Sequence, residues 1–107
     1  MVVVDPEKIE WQRVEQLPKG AWAKLLRLDE ETGAVTVLSK FDKGFHEARH
    51  KHPCDCFITV LEGEGMVFDG KKVKKGMYFF TPAGVEHGPL NAPEGCVLLI
   101  HFYASPW

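Results

Sequence analysis

The stretch that decides the fold is GFHEARHKHPCDCFITVLEG, residues 44–63, followed after a short hairpin by GMYFFTPAGVEHGPLN, residues 76–91. His50 and His52 stand one residue apart in the first stretch, and His87 stands in the second. In an extended strand residues i and i+2 point to the same face, so His50 and His52 can aim both imidazoles at one point inside a barrel. Gly44, Gly63, Gly76, Pro82 and Gly84 punctuate the stretches as tight turns that end one strand and start the next. Those turns are expected to bring His87 beside the first pair, so that three imidazoles hold one metal ion. A lone His-x-His more often decorates a solvated edge strand. Two glycine frameworks in register around these histidines favour the metal.

Working outward, 107 residues make one domain, 1–107, with a single small core of modest stability. Net charge is −2 and the basic residues are scattered, which argues against a nucleic-acid partner. The longest apolar runs are short and strand-like, and MVVVDPEK is not a charged-then-apolar leader. The expectation is a soluble cytoplasmic protein with no membrane partner. Cys54, Cys56 and Cys96 make an odd count without a signal peptide, which disfavours a disulfide scaffold. Cys54-x-Cys56 has no second cysteine pair to complete a thiolate zinc site.

Strands are expected wherever β-rich runs lie between turn residues. WAKLLRL at 22–28 and AVTVLSKF at 34–41 flank the loop DEETG and read as a hairpin. CFITVLEG and GMVFDG follow, KKVKKG turns into MYFFTPA, and CVLLIHFYA at 96–104 is the last strand. Weak helical periodicity is confined to residues 7–16. The chain therefore reads as all-β with roughly eight short strands, and a closed or sandwiched jelly roll removes the exposed edges of such a sheet.

With those residues in view, the chain resembles a single-domain cupin. Residues 44–63 fit the first cupin motif, G-x5-H-x-H-x3-E-x6-G, except that Cys56 stands at the glutamate position. Residues 76–91 fit the second, G-x5-P-x-G-x2-H-x3-N, without exception. AWAKLLRLDEETGAVTVLSKFDKG, RHKHP, VLEG and TPAGVEHGPLNAPEGC are further similar to the ChrR-like cupins, a group that includes an anti-sigma factor zinc-binding domain and is related to iron dioxygenases of diketones and hydroxyacetophenones. The resemblance implies an RmlC-like jelly-roll β-barrel that pairs as a homodimer, with His50, His52 and His87 as metal ligands. A homodimer also suits the apolar MVVV terminus, which could add a strand to a neighbour's sheet. It specifies the reaction poorly, because one barrel hosts many chemistries.

Cys56 is where the chain departs from that family. If its short side chain stays off the ion, three neutral imidazoles leave a divalent metal with its full charge and open positions, suited to an anionic chelating substrate. If it binds, the thiolate favours zinc. Cysteine there also resembles the thiol dioxygenases, in which a cysteine can link to a tyrosine of the final strand. HFYASP, residues 101–106, is similar to the H-x-Y-S-P stretch of cysteine dioxygenase with one alanine inserted. That resemblance implies Cys56, His101 and Tyr103 as catalytic groups around the metal, with Lys24 and Arg27 as weak candidates for binding a substrate carboxylate. The plainer reading makes Cys56 a small buried apolar residue and Tyr103 a rim aromatic.

Other conspicuous residues have plain readings. His46 is expected in a solvated loop, Lys71, Lys72, Lys74 and Lys75 on a solvated hairpin, and Trp11, Trp22 and Trp107 in packing. Glu86 and Asp69 are the nearest carboxylates to the second motif, yet Glu86 points away from its neighbour His87 and Asp69 lies beyond a turn. The expected function is a mononuclear iron(II) dioxygenase acting on a small diketone, hydroxyketone or thiol, with zinc the next metal and nickel or manganese also compatible with three imidazoles. A non-enzymatic metal or ligand-binding module is the alternative. Metal-assisted isomerisation or hydration of a sugar acid, with His101 as base, is a third.

Overall fold

The hairpin expected around DEETG forms where the sequence places it, from strand β2 (Ala21–Leu28) to strand β3 (Val35–Phe41). It anchors a six-stranded antiparallel sheet. β1 (Gln12–Arg13) pairs with β2, β3 pairs with β10 (Cys96–Phe102), β10 with β5 (Cys56–Gly63), and β5 with β8 (Tyr78–Thr81). A second sheet takes the order β4 (Phe45–Glu47), β9 (Leu90–Ala92), β6 (Met66–Phe68), β7 (Lys71–Val73). These facts come from a computed structural model that describes residues 1–106. Trp107 lies outside the described residues.

The result is an all-β, two-sheet cupin architecture with ten strands among the described residues rather than roughly eight. Residues 7–16 are not helical as their periodicity suggested. Pro6–Lys8 form one 3-10 turn capped by Asp5, and Gln12–Arg13 pair as an edge strand. The Pro at its first position and the Asp5 side chain accepting from Glu7 N explain why the helix starts there. Met1 to Val4 form no strand and are exposed. Among the described residues no helix is long and apolar enough to cross a membrane.

The core lies between the sheets, because alternate residues of β5 and β10 turn inward. Cys56, Ile58 and Val60 on β5 and Leu98 and Ile100 on β10 are buried, and Met66 and Leu90 close the opposite side. Phe41 stacks on Phe45 with ring centroids 4.3 Å apart, joining the two sheets at one corner. Gly63 sits where that core is tightest. It holds φ 150°, and a Cβ there would collide with Met66 Sδ. The glycine that closes the first motif is thus required both by conformation and by space.

Candidate metal centre

His50 and His52 do not lie on a long regular strand. They precede β5 in an extended segment, where His50 forms an isolated antiparallel bridge with His87. His50 N donates to His87 O at 2.9 Å and His87 N to His50 O at 2.8 Å. Gly84, at φ 72°, donates its amide to His52 O at 2.9 Å, and Asp55 Oδ1 accepts from Ala83 N at 2.9 Å. The second motif's turn is therefore tied to the first motif's backbone on both sides of the histidines, which sets His87 beside them.

The three side chains converge. His50 Nε2 is 3.2 Å from His52 Nε2 and 3.2 Å from His87 Nε2, and ligand atoms of all three lie within 4.8 Å of one another. The opposite ring nitrogens fix the tautomer. His50 Nδ1 donates to Ala48 O at 2.9 Å, His52 Nδ1 to Pro106 O at 3.3 Å and His87 Nδ1 to Val85 O at 3.4 Å. With the proton on each Nδ1, three Nε2 lone pairs face one point, so the 3.2 Å separations are distances between neighbouring donors and not hydrogen bonds. Donor atoms about 2.0–2.1 Å from a tetrahedral zinc ion lie about 3.3–3.4 Å apart. The residues present thus fit a single cation. Burial first, then the charges of His50 and His52, pulls His87 down to about 4, and burial also lowers His52, so neutral ligands are favoured at neutral pH.

These imidazoles stand on the wall of a cavity of about 430 Å³, within the range of small-molecule sites. Leu25, Val37, Ile58, Leu98, Ile100 and Phe102 give it an apolar lining. Phe102 packs edge-on against His52 at 5.3 Å, and Phe68 lies 5.8 Å from His87. No lysine or arginine lines the cavity among the described residues. Lys24 donates instead to Pro6 O at 2.7 Å and covers the Trp11 ring at 4.8 Å, and Arg27 is exposed.

Cys56 lines the cavity but belongs to the apolar core, 1% exposed, and burial pushes its thiol up to about 12 against the pull of the neighbouring Thr81 hydroxyl. Its sulfur does not join the three imidazoles in the group of side chains that could hold one ion. All three cysteines are free. His101 and Tyr103 are not brought to the histidines. Across the β5–β10 ladder Phe102 pairs with Cys56 and His101 with Phe57, so Phe102 faces the cavity and His101 faces outward. His101 Nδ1 contacts Thr36 Oγ1 at 2.8 Å, its ring lies 6.0 Å from Phe57, and Tyr103, 66% exposed, lies 6.4 Å from that same ring. The geometry gives neither residue a place around the metal.

Glu86 and Asp69 also point elsewhere, to Arg49 Nε at 3.3 Å and Arg49 Nη1 at 3.0 Å. His46 is exposed as expected, although it lies on β4 rather than in a loop and donates to Asn91 Oδ1 at 2.7 Å. Sequence reasoning did not single out Glu47, which the fold brings beside His50. It lines the cavity, with its side chain 14% exposed and Oε1 3.8 Å from His50 Nε2. Burial raises its pKa, partly countered by His50. The signal was present in β4, where Phe45 is buried and His46 exposed, so that the next residue turns back inward.

Two antiparallel sheets around a cavity, with three imidazoles converging on its wall, define a cupin whose histidines can hold a metal ion. The chain belongs to the ChrR cupin-like domain family, whose model matches residues 1–105. Among curated proteins none is significantly similar in sequence. Among solved structures, it is similar to an RmlC-like cupin from Shewanella frigidimarina at 27% identity, covering 94% of this chain and 88% of that one with a TM-score of 0.79. It is also similar to an acetylacetone dioxygenase from Acinetobacter johnsonii (20% identity, 96% and 72% covered, TM-score 0.76) and to KdgF from a Halomonas species (24%, 91% and 88%, 0.68). At these identities the last two likenesses speak for the fold alone.

Proposed function

We propose that this protein is a mononuclear iron(II) dioxygenase acting on a small, uncharged chelating substrate, a diketone or hydroxyketone before a thiol. The observation that carries the reading is the pairing of three converging imidazoles with an apolar cavity that no lysine or arginine lines among the described residues. Among the described residues no lysine or arginine would pair with a substrate carboxylate in that cavity, whereas a compact diketone matches its apolar walls. The likeness to an acetylacetone dioxygenase adds weight.

His50, His52 and His87 would hold the iron through Nε2, each ring oriented by the carbonyl at its Nδ1. When bound, iron supplies Lewis acidity and the redox chemistry needed for oxygen. The chain's own contribution is orientation and dryness. Phe102 and Phe68 hold the His52 and His87 rings, and Leu98 and Ile100 press the substrate's apolar body away from water.

The test is elemental analysis of protein purified without chelator, followed by anaerobic iron(II) loading and oxygen-uptake measurements with a diketone, hydroxyketone and thiol panel. Oxygen consumed in proportion to diketone or hydroxyketone supports the reading. A fully iron-loaded protein that consumes none with any member refutes it. In that case, thermal stabilisation by a small ligand would instead define a metal-dependent binding module.

A further inference from the structure

Position 56 cannot supply the negative charge that the cupin glutamate normally brings to the metal. Its thiol is buried in the core cluster. A divalent ion among three neutral imidazoles would then sit with uncompensated charge against apolar walls, which is costly. Glu47 is the only carboxylate lining the cavity among the described residues. Its only ion-pair or hydrogen-bond partner among them is His50 Nε2, the atom shared by both short contacts of the histidine cluster. A half-buried carboxylate with no partner but His50 and a cation without an anion each cost free energy, and both costs are relieved if the two meet.

The backbone explains how the carboxylate gets there. β4 pairs with β9 through Phe45↔Ala92, His46↔Asn91 and Glu47↔Leu90. The bond from His46 to Asn91 holds the middle residue on the outer face, so Phe45 and Glu47 must both point inward. The 3.8 Å gap to His50 Nε2 is only slightly wider than the about 3.3–3.4 Å between donors of one tetrahedral site, and the Glu side chain has three torsions with which to close it.

We infer that Glu47 is the fourth protein ligand of the metal held by His50, His52 and His87, supplying from β4 the carboxylate that position 56 lacks. The inference rests on the three-histidine reading and goes beyond it. It also places a first-motif function three residues before the first histidine instead of four after the second.

Cobalt(II) tests it in the full chain, with affinity measured by competition against a chromophoric chelator and coordination by visible d–d absorption. Wild-type protein is expected to bind one cobalt and His50→Ala none. Glu47→Gln is expected to bind one with affinity lowered roughly 10- to 100-fold and with an altered d–d spectrum. Equal affinity and an identical spectrum overturn the inference. So does weaker binding with an unchanged spectrum, which makes Glu47 an outer-sphere charge. Wild-type protein that binds no cobalt overturns the three-histidine reading itself. Should Glu47→Gln fail to fold, the infrared difference spectrum of wild-type protein on cobalt addition decides. A shifted carboxylate stretch supports ligation, and its absence overturns it.

Discussion

The two faces of the β5–β10 pair have opposite chemistry although the same strands build them. Inward lie Cys56, Ile58, Leu98, Ile100 and Phe102, leading to the histidine cluster, and outward lie Phe57, His101 and Tyr103 in contact with one another. His101 and Tyr103 carry groups often associated with catalysis, yet the ladder turns them away from the cavity that the histidines line. Residue type proposes a role, and the pleat decides whether the side chain is in a position to take it.

The sharpest contrast between the faces is metal content. Replacing His87 with Ala is expected to lower metal content well below that of the wild type in elemental analysis of co-purified protein, since the site loses one of its three imidazoles. His101→Ala is expected to retain wild-type metal content. Equal loss in both variants would erase the distinction.

Acid should act on the inner face next. His87 titrates at about 4 in the folded protein against about 6.5 when unfolded, so between those values the unfolded chain binds more protons and stability rises with pH. Metal-free protein is therefore expected to lose stability as the pH falls from about 6.5 to 4, by up to about 3 kcal/mol from this residue. Thermal melts across that range, with His87→Ala showing a flatter profile, check the attribution.

A similar penalty is expected from Gly63→Ala, about 2–3 kcal/mol in a denaturant titration, because the added Cβ meets Met66 and the backbone φ of 150° disfavours a side chain. Cys56→Ala should cost less, about 1–2 kcal/mol for a small buried apolar residue, and should leave metal content unchanged. Tyr103→Phe is expected to change stability by less than about 0.5 kcal/mol, and intact mass of the wild type should show no loss of two hydrogens from a Cys56–Tyr103 crosslink. A crosslinked mass would show the two faces to be connected after all.

Much of this was legible beforehand. The β2–β3 hairpin, the all-β class and the three histidines followed from turn residues, alternation and motif spacing, which are local signals. Glu47 is not legible in the sequence because a three-residue strand is too short to display its alternation, and the carboxylates nearest the second motif, Glu86 and Asp69, are held by Arg49. The orientation of His101 and Tyr103 was half legible. They do share a face, but which one depends on pairing Phe102 with Cys56, and a register shift between Val97 and Leu98 defeats counting back from the strand start.

By itself, then, the sequence determined which residues alternate, where the chain turns and which three imidazoles share a spacing that suits one ion. Only the tertiary structure decided that Glu47 comes to lie beside His50, that Cys56 packs into the core and that His101 faces away. The physical reason is that a strand's period of two specifies two faces without saying which is inside, and that choice is made by the neighbouring strand's register and the burial it brings.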